Sequence, residues 1–314
     1  MEFPSQDDLR GLVIEYARFR AAHGEAIGTP ELVQPTGEYF PDTFSLTPEG
    51  VGGTLRRMLH YAPVSDALHL ELAFVEDEGS GGGSCGTGAC GDGKGGGVAA
   101  PIGEALGRGD GAYRVLVAVR DVPNPVTLTT SLARSVGGIV LGEAGEPAEG
   151  DDRGLRAEIA ASACGFGLLL TSGACVYTKS CGGLRAHQST FIPVGSHSVL
   201  LALFCHVHDV KPGVARAHLE TTQTELFDEA VRWADSNPAL LEALSLHPES
   251  LVDGVFPLEQ TKGFLSRFFG AKPAKALEPA AAPVSKRVRT PEQERHLAEA
   301  KAMVDEALGA PDAR

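Results

Sequence analysis

Cysteine and positive charge are both scarce in this chain, and each shortage excludes a class of protein. Six cysteines stand in 314 residues: Cys85, Cys90, Cys164, Cys175, Cys181 and Cys205. A disulfide scaffold packs far more into a far shorter chain, because it has no adequate core. Lysine and arginine total 27 against 41 aspartate and glutamate, a net charge of −14. The excess lies in the body: residues 1–270 hold 19 basic and 34 acidic side chains, while 271–314 are near balance. An acidic body repels phosphate backbones and anionic membrane surfaces, so nucleic-acid binding is not expected. The N-terminus, Met1-Glu-Phe-Pro-Ser5, has no basic stretch leading into an apolar one. No secretory leader is expected, and the default is the cytoplasm with reduced thiols. What is present is ordinary globular material, 43% hydrophobic and 22% charged, enough for a sizeable core.

The periodicities predict an α+β fold, mostly helical with a small sheet and a flexible C-terminal tail. Ser5, Asp7 and Asp8 open a helix whose apolar face is Leu9, Leu12, Val13 and Tyr16, with Gly24 as its stop. Prolines 30, 35, 41 and 48 punctuate a loop over 28–48. Pro48 then suits the first position of a helix running toward Tyr61. Leu68, Leu70, Leu72 and Phe74 alternate with His69, Glu71 and Ala73 in a strand over 67–76, and the apolar run 112–122 reads as another strand. Helices are expected near 126–142, 155–178, 192–208, 216–236, 238–247 and 257–269. The first 270 residues read as one domain, interrupted by a glycine-rich loop at 79–97 with 11 glycines in 19 positions. A Pro/Ala linker follows at 271–289, and Thr290-Pro291-Glu292-Gln293 opens an amphipathic helix over 290–314. That helix and the acidic surface are the two candidate contacts for a protein partner. Residues 159–178 carry no charge. Serine, threonine and three glycines dilute them, so a buried core helix is expected there rather than a membrane span.

Familiar catalytic patterns are absent. There is no G-x-S-x-G elbow and no paired-carboxylate signature. Gly88 to Lys94 has the skeleton of a phosphate loop, but Gly95 stands where Ser or Thr must hold magnesium. Cys85 and Cys90 form a C-x4-C pair, and Cys175, Cys181 and His187 follow at x5 spacings. Thiolates and an imidazole are zinc ligands, so these five are the candidate metal set, although their spacing matches no standard finger. Cys164 and Cys205 sit in apolar stretches and read as small core hydrophobes.

Several segments in order carry a resemblance: Leu32-Val-Gln-Pro-Thr36, Glu38-Tyr-Phe-Pro-Asp42, the strand Gly111–Val119, Leu128–Leu141, Gly165–Ala174 and Leu200–Phe204. Over about 28–236 the chain resembles a group of poorly characterised bacterial proteins built like zinc metallopeptidases. In that group one helix carries H-E-x-x-H, whose imidazoles bind zinc from one face while the glutamate activates water. The next helix adds an acidic ligand. The resemblance sets Arg134 at the first histidine, Ser135 at the glutamate, Gly138 at the second histidine and Glu158 near the third ligand. Arginine cannot ligate zinc and glycine offers no side chain, so no catalytic residue is assigned. The implied expectation is a peptidase-like scaffold without peptidase chemistry or resident cofactor, with Arg134 and Glu158 paired where zinc would sit. Reversing both charges should then partly restore what reversing one destroys. The alternatives are a cysteine/histidine zinc module and a cysteine-dependent enzyme with an unread site.

Overall fold

The first three helices each begin where a side chain satisfies free amides of the first turn. In the computed structural model, which describes residues 2–65, 67–76, 103–107, 112–147, 150, 152–180 and 183–259, Ser5 and Asp8 form a reciprocal capping box at the head of α1 (Gln6–Ile27). That helix runs past Gly24 and stops at Gly28, whose φ of 64° a side chain would resist. The Thr47 side chain accepts from the Gly50 amide to cap α2 (Pro48–His60). Asn124 does the same for α3 (Pro125–Glu143). The glycine-rich 79–97, the linker and the terminal helix expected at 290–314 lie outside the described residues, as does most of 257–269.

The small sheet has the order β1-β3-β2. β1 (His69–Val75) runs parallel to β3 (Ala112–Ala118), and β2 (Ala105–Gly107) pairs antiparallel on its other side. β3 is central and buries Tyr113, Val115 and Val117 on one face, the period of two that a strand imposes. It ends at Ala118 rather than 122, where one tight 3-10 turn (Val119–Asp121) delivers the chain to α3.

The expected helix over 155–178 is four elements. α4 (Arg153–Ala161) passes through a widened turn, 162–166, into α5 (Gly167–Gly173). Gly165 takes φ 96° there because the Glu31 carbonyl lies where its Cβ would be. The Gly165 carbonyl in turn accepts from the Val33 amide at 3.0 Å. Beyond Gly173 the chain turns into β4 (Val176–Ser180), which pairs with β5 (Gly183–His187). Then come α6 (Val194–Val207), α7 (Pro212–Arg216), α8 (Thr221–Asp235) and α9 (Pro238–Leu246). The helix expected over 216–236 is thus the end of α7 and the whole of α8.

α3, α5 and α6 form the centre of the core, with Leu132, Val136, Leu168, Leu201 and Phe204 fully buried. α3 and α4 cross at backbone distance because Gly137 leaves no room beside the Ala157 carbonyl for a Cβ. Gly138 is different: a Cβ there would meet only Ala105 at an ordinary 3.6 Å. Gly137 and Gly165 therefore both require the absence of a side chain. Among the described residues, no helix is long and apolar enough to cross a membrane.

A buried ionic site between three helices

Three helices each donate one ionisable side chain to a single point. Arg134 is the only charged residue of α3 before Glu143, Glu158 lies on the apolar face of α4, and His197 lies in the first turns of α6. All three are sequestered, at 1%, 0% and 0% exposure. Such groups are rarely buried unless paired, because taking a charge out of water costs several kcal/mol (~) before any partner repays it.

The pairing is complete on the carboxylate. Arg134 Nε donates to Glu158 Oε1 at 2.8 Å. The Phe191 amide donates to the same oxygen at 2.9 Å. The Ile192 amide donates to Oε2 at 2.9 Å, and His197 Nε2 lies 3.1 Å from it. Since an ionised carboxylate only accepts, His197 carries its proton on Nε2. Glu158 therefore has four donors for about four acceptor positions. Burial pushes its carboxyl up, but the His197 hydrogen bond, the Arg134 charge and the Ile192 amide outweigh burial and hold it below the usual glutamate value.

Arg134 is held on its other sides too. Its Nη2 donates to the Ser189 carbonyl, and its guanidinium stacks over the Phe191 ring at 5.2 Å. Gly103, at φ 122°, passes so close that a Cβ would come within 2.9 Å of Nη1. The segment 189–193 is thus tied to the helix pair at three backbone groups: the Ser189 carbonyl and the amides of Phe191 and Ile192. Asp121, at the head of α3, feels the same cluster. Burial raises its carboxyl, and the charges of Arg120, Arg134 and His187 pull it back only in part.

These residues do not fit zinc. Arg134 has no lone pair to give, Gly138 has no side chain, and Ser135 Oγ donates to the Ser131 carbonyl at 3.1 Å in the helix interior. Glu158 could bind an ion only by releasing donors it already holds. The same geometry argues that a swap of the two charges should not restore the site. An arginine at 158 would face two backbone amides, donor against donor.

Of the candidate thiolate set, Cys85, Cys90 and Cys181 lie outside the described residues. Cys175 is buried in a small apolar cluster with Ala174, Val194 and Leu226. His187 pairs in β5 opposite Val176, the residue after Cys175. Among the described residues, no group of three or more histidine, cysteine or acidic side chains is placed to hold a metal. Burial pushes the thiols of Cys164 and Cys205 up to about 12, in keeping with inert core cysteines.

Sequence reasoning missed His197 and the two amides. The amides leave no trace in a sequence. His197 does leave one: it is a lone imidazole in the apolar first half of α6, as Arg134 is the lone charge of α3 before Glu143, and such residues call for a partner. No family model, curated protein or solved structure matches the chain.

Proposed function

We propose that the chain is a non-catalytic, metallopeptidase-like protein that serves as a binding or scaffold module. One observation carries this reading: the acceptor capacity of Glu158 is filled by Arg134, His197 and two backbone amides. In the group the sequence resembles, a cation between helices would hold an acidic ligand of this kind. Here a guanidinium supplies the positive charge, and it neither activates water nor exchanges with solvent. The neighbouring positions are equally unsuited to hydrolysis, since Ser135 is buried and Gly138 lacks a side chain. The arrangement supports a role in holding structure, in particular the segment 189–193.

The test joins elemental analysis to activity. Untagged protein, purified without chelator, is assayed for metal content and for cleavage of a mixed peptide library, alongside Glu158→Gln. The expected result is no zinc-dependent cleavage in either protein. Zinc-dependent cleavage lost in Glu158→Gln would overturn the reading. Stoichiometric zinc lost in Cys85→Ser or Cys181→Ser would replace it with a cysteine/histidine zinc module.

A further inference from the structure

The segment that Arg134 and Glu158 hold in place is also the wall of an open groove. The groove has a volume of about 910 Å³ and runs between residues 2–5, the outer face of α1, the Leu155 and Ile159 side of α4, and residues 191–193. Its floor is apolar, with Phe3, Leu12, Ile14, Leu155, Ile159 and Ile192. Its rim carries Glu2, Asp7, Asp8 and Glu15 against a single cation, Arg18. Arg18 is already paired with Glu15, and Asp8 is spent on the capping box. Among the described residues, no cation pairs with Glu2 or Asp7.

We infer that this groove docks an amphipathic helix of a partner protein, apolar on one face and flanked by lysine or arginine. The charge follows from the rim, whose surplus of carboxylates favours cationic and repels anionic guests. The helical form follows from the walls. Of its four walls two are helices with satisfied backbones, residues 191–193 have given the Phe191 and Ile192 amides to Glu158, and in residues 2–5 Pro4 has no amide and Ser5 gives its own to Asp8. No strand edge lines the groove to pair with an extended guest, so the guest must satisfy its own backbone, as a helix does. This inference deepens the scaffold reading, on which it rests, by naming the partner's chemistry and the face it takes.

The probe is a fluorescein-labelled model helix of leucine and lysine in amphipathic order, titrated against the full chain and read by fluorescence polarisation. Its glutamate-for-lysine counterpart is the companion probe. Two charge-matched double variants are compared: Glu2→Lys/Asp7→Lys in the rim and Glu225→Lys/Glu242→Lys, exposed on α8 and α9 away from the groove. Expected are saturable binding of the lysine helix only, about tenfold weaker binding in the rim variant, and little change in the distant one. Equal weakening in both variants would reduce the effect to net charge and overturn the inference, as would non-saturable binding or binding of the glutamate helix. Failure here leaves the scaffold reading intact with another docking face. Zinc-dependent cleavage would end the scaffold reading whatever the helix does.

Discussion

Two arginines in this molecule sit beside titratable groups and push both in the same direction, with opposite consequences. Arg134 lowers the Glu158 carboxyl and so keeps it charged. Arg20, on α1, donates from Nη1 to His208 Nε2 at 3.1 Å just past the end of α6. Burial, with Arg20 second, lowers that imidazole from 6.5 to about 4 and so keeps it neutral. The difference lies in what the burial does. At Glu158 burial works against the charged form, and His197, Arg134 and the Ile192 amide together overcome it. At His208 burial and the guanidinium agree, and one hydrogen bond suffices. The first site is therefore an expensive arrangement that fails if any donor is lost. The second is inexpensive and fails only when a proton is forced onto it.

The largest effect that separates the two lies in truncating the first. Arg134→Met leaves a buried carboxylate short of its guanidinium donor, and Glu158→Gln leaves a buried guanidinium without its anion. Each should cost about 3–5 kcal/mol of unfolding free energy in denaturant titration. The double variant should cost less than the sum, by about 1 kcal/mol or more, because the second change removes the group the first left unpaired. Simple additivity would mean that the two side chains act independently, and the site would lose its claim to be a unit. The charge-swapped pair should not recover stability, since position 158 must accept from the Phe191 and Ile192 amides.

A smaller contrast lies in the glycines that set the helix spacing around the same site. Gly137→Ala drives a methyl into the Ala157 carbonyl and must part α3 from α4, the two helices that carry Arg134 and Glu158. A loss of about 1–3 kcal/mol is expected from such overpacking. Gly138→Ala, one residue along, meets Ala105 at contact distance, and its better helix propensity should leave stability unchanged or raise it by up to about 1 kcal/mol. Thermal denaturation of the two variants decides this. Equal loss in both would show that helix approach at Gly137 is not what matters.

What the sequence could say about these features depended on range. Caps are local, so Ser5 with Asp8, Thr47 with Pro48 and the alternation in β1 were all legible. The β4 strand was not, because Val176-Tyr-Thr-Lys-Ser follows an uncharged apolar run that suits a helix equally well. The break at Gly165 needs the Glu31 carbonyl, which no local pattern announces. The site was half legible. Arg134 and Glu158 stood out as charges at positions the resemblance singled out, and they do form an ion pair. His197 beside Ser196 makes no catalytic pair by adjacency, and adjacency says nothing of the α4 side chain that folding brings to it.

The smallest effect belongs to the second arginine and is read as a slope rather than a level. His208 binds its proton more weakly in the folded protein, at about 4, than its ordinary 6.5. Between those values the unfolded chain holds more protons, so stability rises with pH across that window. The contribution is fully present above 6.5 and is lost as the pH falls toward 4. Because the imidazole is only partly buried, solvent screens part of the effect. His208→Asn should flatten the stability–pH curve between 4 and 6.5 relative to the parent, and imidazole NMR should place the His208 midpoint near 4. Glu158 contributes in the other direction of charge and a lower window. Its share is present above the ordinary carboxyl value of 4.5 and is lost only as acid reaches its depressed folded value. Mild acid thus probes the Arg20 site and strong acid the Arg134 site. A parent and His208→Asn with identical slopes from 4 to 6.5 would show that Arg20 and burial do not hold the imidazole neutral, and the contrast between the two arginines would collapse.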